Sequence, residues 1–389
     1  MEKLLVMKFG GTSLKDRECR DAAVNHIISA PATPVVVVSA MGRNGAPYAT
    51  DSLRQLLISE GGEISDRDMD FIMCCGEMIS AAVLAQAIKA RGRRAKPLTG
   101  AQAGISTDGV YGSATVTGVD VAPIRKLLAD GIIPVVTGFQ GDFAGEFTTL
   151  GRGGSDTTAA VLGQALGADE VQIFTDVVGI LTTDPVLYGE ASFVPFATYQ
   201  EVLEMAELGA KVIHPKAVEI LESAGIPIRI LSTLEKGPGT YVSAPVDPSP
   251  LKKKKVVTSV AVAYPRSLVS IKDNQADVVF KTVAEANVSV DLINVSPMSI
   301  SFTIDSDREQ TVRKVLPNAV IEPGFAKVSV VGAGMRGVPG VMAQVVEALA
   351  KHDIEIIRTA DSHTSISCLV KTEELEDAVR ALHEAFLLK

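Results

Sequence analysis

Short, nearly uninterrupted apolar runs recur along the first 240 residues and alternate with segments whose apolar positions have helical spacing. The runs lie at 4–9, 34–38, 131–137, 171–176 and 226–231. Such runs are typical of strands buried on both faces, as in a parallel sheet. Helices are predicted for intervening segments that include 16–29, 67–90 and 157–166. This part of the chain is therefore expected to be α/β, with a mostly parallel sheet sandwiched by helices.

The last third of the chain contains an internal repeat. Val269-Ser270-Ile271 resembles 328–330, 59 residues later, and Ser299-Ile300-Ser301 resembles 365–367, 66 residues later. The second copy therefore holds seven additional residues, around 332–340. Each copy reads as strand, helix, strand, strand and helix, with room for a final strand. We expect two small βαββαβ, ferredoxin-like units.

A stretch of different composition separates these two patterns. Three prolines lie within 243–250, and Lys252 to Lys255 are four consecutive lysines. A proline-rich, charged stretch of this kind predicts a solvated linker. The predicted organisation is a domain over 1–242, a linker over 243–255, and two smaller regions over 256–322 and 323–389.

Composition and charge narrow the class of protein. Of the 389 residues, 47% are apolar, and 37 basic against 46 acidic side chains give a net charge of −9. This balance suits a globular protein with a large core and argues against a nucleic-acid partner. Neither a membrane span nor a signal peptide is predicted. Cys19, Cys74, Cys75 and Cys368 fit neither a disulfide framework nor a zinc site, so we expect a reducing cytoplasm.

Candidate chemistry begins at the end of the first strand. Lys8 is followed by Gly10 and Gly11, and Ser13 and Asp16 have the Ser-x-x-Asp spacing that opens helices. A lysine, accessible backbone amides and a helix N-terminus together predict a phosphate cradle. The alternative is an ordinary strand-to-helix turn with a chance lysine, since a double glycine is a weak motif.

A second glycine-rich stretch, Gly151-Arg152-Gly153-Gly154-Ser155-Asp156, precedes the helix predicted at 157–166. Arg152 can hold a carboxylate through two parallel hydrogen bonds. Asp156 has two possible roles: it either caps this helix or places a carboxylate near a transferring phosphoryl group.

Acidic turns follow further along the chain. Phe174-Thr175-Asp176 and Thr183-Asp184-Pro185 could hold the base, ribose and metal of a nucleotide. Lys211 adds a cation. His214 precedes a proline, and we expect it to be a structural hydrogen-bonding residue rather than a catalyst.

Together these motifs resemble those of the aspartokinases, members of the amino acid kinase family. The resemblance rests on 8–13, Val38-Ser39-Ala40-Met41, Cys75-Gly76-Glu77, 151–156, 174–176 and 183–185. These motifs occur in the family's order along essentially the whole chain. The resemblance implies an amino acid kinase fold followed by two ACT domains. It also implies transfer of the ATP γ-phosphoryl group to the β-carboxylate of aspartate, with ATP and Mg²⁺ as cofactors.

The resemblance also implies residue roles. Lys8 would bridge the phosphates, and Asp156 would orient Lys8. The aspartate side would be formed by Thr50, Glu77, Arg152, Gly153, Gly154 and Ser155, with Arg152 on the α-carboxylate and Glu77 on the α-ammonium. The ATP side would be formed by Lys8, Phe9, Gly10, Gly11, Ser39, Thr175, Asp176, Asp184 and Lys211. No side chain is expected to bind a metal.

Two of these positions carry a reservation. Val186 stands where the family usually has arginine, so the nucleotide contacts near Asp184 are less defined than the aspartate contacts. For Glu77, the alternative to a binding role is a solvated helix residue.

The paired ACT domains imply feedback control by a pathway end product, and a homodimer formed through these domains. In aspartokinases the strand before the first ACT unit, here 256–263, is lent to the second. We expect the effector to contact Asp273, Val288 and Asn294. The stretch 359–370 resembles diaminopimelate-responsive forms, with lysine and threonine as the other candidate effectors.

Two other functions remain open from the sequence. One is a related kinase acting on glutamate, acetylglutamate or UMP, and the other is a catalytically silent amino-acid sensor. The combination of Glu77 and Arg152 favours a free α-amino acid as acceptor. The presence of Lys8 and Asp156 beside them favours an active enzyme.

Overall fold

The computed structural model describes residues 3–43, 45–210, 212–245, 256–272, 275–386 and 388. The chain forms two compact units. The first comprises Met1–Ile180, Phe193–Ala206 and Lys211–Asp247. The second comprises Leu181–Ser192, Glu207–Ala210 and Pro248–Lys389. Two short segments from the amino-terminal part of the chain therefore belong to the second unit.

The described strands before residue 245 are β1 (Leu5–Phe9), β2 (Val35–Val38), β3 (Ala95–Leu98), β4 (Ile105–Thr107), β5 (Val116–Val119), β6 (Ile133–Thr137), β7 (Gln140–Phe143), β8 (Glu146–Thr149), β9 (Glu170–Thr175), β10 (Phe196–Thr198), β11 (Ile228–Ser232) and β12 (Thr240–Ser243). The helices are α1 (Arg17–Ile28), α2 (Thr50–Ser59), α3 (Asp66–Ala90), α4 (Ala122–Ala129), α5 (Gly154–Leu166), α6 (Tyr199–Glu207) and α7 (Pro215–Ala224).

The central sheet of the first unit has the strand order β10-β12-β11-β9-β1-β2-β6-β3. Its neighbouring pairs are parallel except for β11 and β12, which are antiparallel. The five strands predicted from apolar runs are the five consecutive strands β11, β9, β1, β2 and β6. The prediction of a mostly parallel α/β sheet is confirmed.

Helices cover the sheet on both faces. Met7 and Phe9 of β1 lie in a core cluster that also contains buried residues of α1 and α3. Side chains alternate along a strand, so Lys8 projects from the opposite face. That face carries α5, where a Cβ on Gly163 would lie 2.6 Å from the Val171 side chain. Lys8 is thus aimed toward the helix that follows the second glycine-rich stretch.

A second, smaller sheet in the first unit has the order β5-β4-β7-β8. The sequence did not predict it, because its strands are three or four residues long and consist largely of Ser, Thr, Gly and acidic residues. Strands this short give too few positions for an alternation to be recognised.

The start of α1 corrects a prediction. Ser13 does not open this helix; it lies in a single 3₁₀ turn, Thr12–Leu14. The helix begins at Arg17, and the Asp16 carboxylate caps it by accepting the Cys19 N–H at 2.8 Å. The Ser13 hydroxyl instead donates to the Phe174 carbonyl at 3.1 Å. Ser13 therefore ties β1 to β9 rather than capping a helix.

Helix α3 is the one described helix that is long and apolar enough to cross a membrane. Its Leu84, Ala85 and Ile88 are buried in the core cluster against the central sheet. The helix also buries the carboxyl groups of Asp70 and Glu77. These contacts explain its apolar composition as that of a core helix.

The second unit contains β13 (Ser259–Ile271), β14 (Asp291–Ser296), β15 (Ser299–Asp305), β16 (Val320–Val331), β17 (Arg358–Asp361) and β18 (Ser365–Lys371). Its described helices are α8 (Ala276–Glu285), α9 (Glu309–Val315), α10 (Val341–Ala350) and α11 (Leu375–Ala385). The strands form one antiparallel sheet with the order β14-β15-β13-β16-β18-β17.

Two long central strands divide this sheet into two modules. The carboxyl-terminal part of β13 pairs with β15 and belongs with α8, β14 and α9, which we call the first module. The amino-terminal part of β13, Ser259–Ala263, pairs with 327–331 of β16 and packs with α10 and α11, the second module. Each module has its own core. Residues 259–263 thus precede the first module in sequence but complete the second.

The backbone repeats along with the sequence. Asn287 follows α8 and has φ 53°, and Asp353, 66 residues later, follows α10 and has φ 57°. Asparagine and aspartate tolerate this left-handed conformation better than most residues. The additional residues of the second module include the 3₁₀ turn Ala333–Met335.

Candidate active site

An ion pair joins the end of β1 to the first turn of α5. The Lys8 ammonium lies 2.7 Å from Asp156 Oδ1, and the two side chains are 12% and 13% exposed. Asp156 does not cap α5, since Gly153 occupies that position. Its second oxygen instead accepts the His214 N–H at 3.2 Å. Asp156 thereby fixes the position of Lys8 and is itself held by the chain that leads into α7.

The glycines after β1 are explained mainly by packing. A Cβ on Gly11 would lie 2.4 Å from the Gly42 carbonyl oxygen, so a side chain there would push apart the loops after β1 and β2. The Gly10 N–H already donates to the Phe174 carbonyl at 3.2 Å. A Cβ on Gly10 would lie 3.5 Å from the Lys8 ammonium. The Gly10 amide is thus committed to β9 in this structure.

Glu77 is buried in α3 and only half satisfied. Its side chain is 2% exposed, and Oε1 accepts the Ala40 N–H at 3.0 Å. Oε2 is buried and accepts no hydrogen bond from the described residues. Burial raises the pKa of Glu77 to about 8, although the Ala40 N–H acts in the opposite direction. The alternative of a solvated helix residue does not hold, because Glu77 is buried.

Gly76 explains how the loop after β2 reaches Glu77. A Cβ at Gly76 would lie 2.7 Å from the Ala40 side chain and 3.0 Å from the Tyr48 carbonyl oxygen. Because Gly76 has no side chain, this loop lies directly on α3. Thr50, the first residue of α2, continues the same loop and is half-buried.

The second glycine-rich stretch forms a tight turn before α5. Gly151 and Gly153 have φ values of 72° and 68°, which favour glycine. A Cβ on Gly153 would also lie 2.1 Å from the His214 ring, so this position excludes any side chain. Arg152 lies between the two glycines and is exposed. Gly154 and Ser155 begin the helix and pack against Phe139 and Gly138.

The residues predicted for the nucleotide side are split between the two units. Ser39, Thr175 and Asp176 lie in the first unit, at the carboxyl ends of β2 and β9. The Thr175 hydroxyl donates to Asp176 at 3.0 Å, and Asp176 forms an exposed ion pair with Arg43 at 3.2 Å. Phe9 is a core residue whose ring stacks on Phe174, so only its backbone could contact a ligand.

Asp184 lies in the Leu181–Ser192 segment of the second unit. It is exposed, and its Oδ1 accepts the Val186 N–H at 2.9 Å. Val186, which stands where the family usually has arginine, is 86% exposed. Lys211 lies outside the described residues.

The structure describes two of the three predicted effector residues, and these two differ in burial. Asp273 lies outside the described residues. The Val288 side chain is buried in the core of the first module, and its N–H donates to the Val283 carbonyl. Asn294 is exposed on the edge strand β14.

Two further polar residues, one at the end of β6 and one at the start of β7, were not singled out from the sequence. Thr137 ends β6 opposite Val38, and its buried hydroxyl has no hydrogen-bond partner among the described residues. Gln140 begins β7; its amide nitrogen donates to the Cys74 carbonyl at 3.1 Å, while its buried Oε1 is likewise unpartnered within the described chain. Their positions just after a buried apolar run were the available signal.

A cavity of about 590 Å³ lies elsewhere in the first unit. It is lined by Met7, Phe174, Leu231 and residues of α1, so it opens on the sheet face opposite to Lys8. Arg229 in its wall is paired with Glu170 at 3.0 Å, and Lys236 also lines it. Neither Lys8 nor Glu77 lines this cavity.

The amino acid kinase family model matches residues 3–232, and an ACT domain model matches 328–386. The chain is 42% identical over 407 residues to aspartokinase 1 of Bacillus subtilis (strain 168), with 99% of each chain covered.

Two solved structures of E. coli aspartokinase III are similar over almost the whole chain. The complex with aspartate and ADP (R-state) gives a TM-score of 0.78 at 25% identity and covers 99% of this chain and 100% of its own. The complex with lysine and aspartate (T-state) gives 0.77 at 25% identity, covering 98% and 99%.

Proposed function

This chain belongs to the aspartokinases of the amino acid kinase family, and from that premise we propose how its residues carry out the reaction. The chain is an ATP-dependent aspartate kinase. It transfers the γ-phosphoryl group of ATP to the β-carboxylate of L-aspartate and forms 4-phospho-L-aspartate. This step opens the biosynthesis of lysine, threonine and methionine, and we place the enzyme in the cytoplasm.

Lys8 stabilises the transferring phosphoryl group. A carboxylate is already a nucleophile at neutral pH, so the reaction needs no general base. It does need positive charge between two approaching anions, because phosphoryl transfer depends mainly on alignment and electrostatic stabilisation. The Lys8 ammonium has three protons, and the ion pair with Asp156 uses one of them. The remaining protons are available to the phosphates, while Asp156 keeps the ammonium in place.

The observation that carries the assignment of the aspartate site is the unpartnered Oε2 of Glu77. A buried carboxylate oxygen without a hydrogen bond is costly, and a bound cation would satisfy it. The α-ammonium of aspartate is such a cation. Its binding would favour the ionised form of Glu77 and so return the raised pKa of this carboxyl toward its ordinary range.

Arg152 binds the α-carboxylate of aspartate. The guanidinium is exposed on a turn that two left-handed glycines fix, and it can form two parallel hydrogen bonds with a carboxylate. Gly153 and Ser155 supply backbone and hydroxyl donors at the start of α5, where anions are favoured. Gly154 lies between them, and its own N–H donates to the Gly151 carbonyl. Thr50 completes this side from the loop after β2.

ATP enters as its Mg²⁺ complex. Among the described residues there is no group of three His, Cys, Asp or Glu side chains that could hold a metal ion. The metal would therefore be held mainly by phosphate oxygens and water, as is common for Mg²⁺. Ser39, Thr175, Asp176, Asp184 and Lys211 form the nucleotide side, together with backbone groups of 9–11.

A coupled assay of ADP formation tests the activity. With aspartate as acceptor, we expect turnover that depends on both substrates, and a hydroxamate assay should detect the acyl phosphate. Glutamate, acetylglutamate and UMP are the matched controls, and each should support far less ADP formation. ATP hydrolysis without aspartate dependence, or preference for another acceptor, would contradict the assignment.

The second unit regulates the enzyme by binding an amino acid. We propose diaminopimelate as the effector, from the sequence of 359–370, with lysine and threonine as the compounds to compare. The effector is placed against Asp273, Val288 and Asn294. Asp273→Ala should then raise the half-inhibitory concentration while leaving uninhibited kcat unchanged, because coupling requires preferential binding to one of two states. An unchanged inhibition curve would place the effector elsewhere.

We also propose that the enzyme forms a homodimer through its ACT modules. Strand β14 is an edge of the six-stranded sheet, and Ile293 and Val295 on it are more than half exposed. An exposed edge with apolar side chains is a surface that proteins normally cover. Light scattering of the wild type and an Ile293→Lys variant would test this; a monomeric wild type would contradict it.

A further inference from the structure

The Leu181–Ser192 segment is built into the second unit although the chain on both sides of it belongs to the first. Val194 N–H donates to the Ile180 carbonyl within the first unit, and Thr182 N–H donates to the Ser192 carbonyl within the second. These backbone hydrogen bonds bring the two ends of the segment side by side. The position of the segment within the second unit is fixed by its further contacts there.

Thr182 is the main polar anchor of the segment. Its carbonyl accepts the Val260 N–H of β13 at 2.7 Å, which joins the segment to the sheet of the second unit. Its hydroxyl lies 2.8 Å from His383 Nε2 and accepts the Ser192 N–H at 2.8 Å. Thr182 and His383 are both buried, and loss of the hydroxyl would remove the acceptor of the Ser192 N–H.

Tyr188 is the apolar anchor. Its ring lies 4.7 Å from the His383 ring, and the side chain belongs to the core cluster of the second module. The Asp184 carbonyl accepts the N–H groups of Leu187 and Tyr188, so Asp184 is one turn away from this anchor. Asp184 itself is exposed. A buried contact on α11 thus fixes a turn that presents an exposed carboxylate.

We propose that Thr182, Tyr188 and His383 are positioning residues for the turn that carries Asp184. This inference rests on the proposed role of Asp184 in nucleotide binding. None of the three needs to touch ATP. The residues that bind aspartate, Glu77 and Arg152, lie in the first unit and have no place in this anchor.

The consequence is a selective kinetic effect. Weakening the anchor increases the number of conformations of the Asp184 turn, and ATP binding must then select the competent one. The KM for ATP should rise, whereas the KM for aspartate should stay nearly constant. A purely structural role would instead lower the melting temperature and the amount of active enzyme without separating the two KM values.

The central experiment compares Thr182→Val with Thr182→Ser. Valine has the shape of threonine without the hydroxyl, and serine retains the hydroxyl. We expect Thr182→Val to raise the KM for ATP about tenfold, as for loss of one buried hydrogen-bonded group. Thr182→Ser should restore most of the wild-type value. Steady-state kinetics in both substrates and a melting temperature are measured for each variant.

A second pair of variants covers the case in which Thr182→Val fails to fold. Tyr188→Phe keeps the ring against His383 and should behave like the wild type, whereas Tyr188→Ala removes it and should raise the KM for ATP. Val283→Ala is the control for general damage, because Val283 is a buried residue of α8 in the first module. It should leave both KM values unchanged.

The outcomes separate this inference from the proposed function. Wild-type enzyme without aspartate-dependent ADP formation would contradict the function itself. An active wild type whose Thr182→Val and Tyr188→Ala variants keep the wild-type KM for ATP would overturn the positioning role alone. Equal increases in both KM values, matched by Val283→Ala, would also overturn it. A rise in the KM for ATP alone, reversed by serine, supports it.

Discussion

Helix α3 carries two buried carboxyl groups seven residues apart, and they differ in how many hydrogen bonds they accept. Asp70 is 0% exposed, and its oxygens accept the Gly112 N–H, the Thr149 N–H and the Thr149 hydroxyl at 2.7–3.1 Å. Glu77 is 2% exposed and accepts one hydrogen bond, from Ala40. Asp70 ties the helix to β8 and the loop before β5, whereas Glu77 has one oxygen with no described partner.

This difference distinguishes a structural acid from a binding one. A carboxylate with several strong donors is stabilised where it lies and serves the fold. A carboxylate with an unpartnered buried oxygen destabilises the free protein, and such a group is retained where a ligand will complete it. We therefore expect substitutions at Asp70 to affect stability and substitutions at Glu77 to affect substrate binding.

One large expected effect is on aspartate recognition. Glu77→Gln should raise the KM for aspartate by about 30-fold or more, since loss of one member of a buried charged pair costs roughly 2–5 kcal/mol. The KM for ATP should change little. Initial rates with each substrate varied in turn give both values. Equal increases for the two substrates would remove the distinction between Glu77 and Asp70.

Lys8 extends the comparison to a buried charge that is already paired. Lys8→Ala should lower kcat by about 10²–10³-fold, as expected for the loss of one preorganised group that stabilises transition-state charge. Lys89→Ala, on an exposed position of α3, is the matched control and should leave kcat unchanged. Near-wild-type kcat in Lys8→Ala would mean that the catalytic centre lies elsewhere.

Asp70→Asn should show the reverse of Glu77→Gln. An amide places donors against donors at Asp70, so we expect a melting temperature lower by roughly 5 °C or more. The KM values of the folded fraction should match those of the wild type. A stable variant with an altered KM for aspartate would assign Asp70 to the site and break the comparison.

The raised pKa of Glu77 also predicts a pH dependence of stability. The pKa of Glu77 is about 8 in the folded enzyme and 4.5 in an exposed chain. Between these two pH values the folded state keeps the carboxyl proton, whereas the unfolded state has released it. Its contribution to stability is full below pH 4.5 and is lost as pH rises through 8. Scanning calorimetry from pH 5 to 8.5 should show wild type losing stability relative to Glu77→Gln. A constant difference between them would contradict the raised pKa.

The sequence predicts the centre of the fold better than its edges. β1, β2, β6, β9 and β11 are buried on both faces and therefore read as apolar runs. The strands β3, β10 and β12 lie at or near the edges of the sheet, where fewer positions are buried, and β3 contains Lys96 and Pro97. Strands with fewer buried positions show a weaker hydrophobic pattern in the sequence.

Part of the candidate site could likewise be predicted from the sequence, and part of it could not. Lys8 and Asp156 were paired by family resemblance, and the structure brings them together. The burial of Glu77 could not be predicted from the helix pattern. It depends on Gly76, whose lack of a side chain allows the loop that carries Ala40 to pack against α3. Assignment of the Asp184 turn to the second unit depends on contacts of Tyr188 with a helix almost 200 residues later.

Proton release on aspartate binding tests the account most directly. Aspartate is titrated calorimetrically at pH 7 into enzyme that holds a non-hydrolysable ATP analogue, in two buffers of different ionisation enthalpy. With a Glu77 pKa of about 8, most free enzyme carries the proton, and ion pairing with the α-ammonium should expel close to one proton per aspartate. The Glu77→Gln variant should release none. Equal binding enthalpies for the wild type in both buffers would contradict the assignment of Glu77 to the aspartate ammonium.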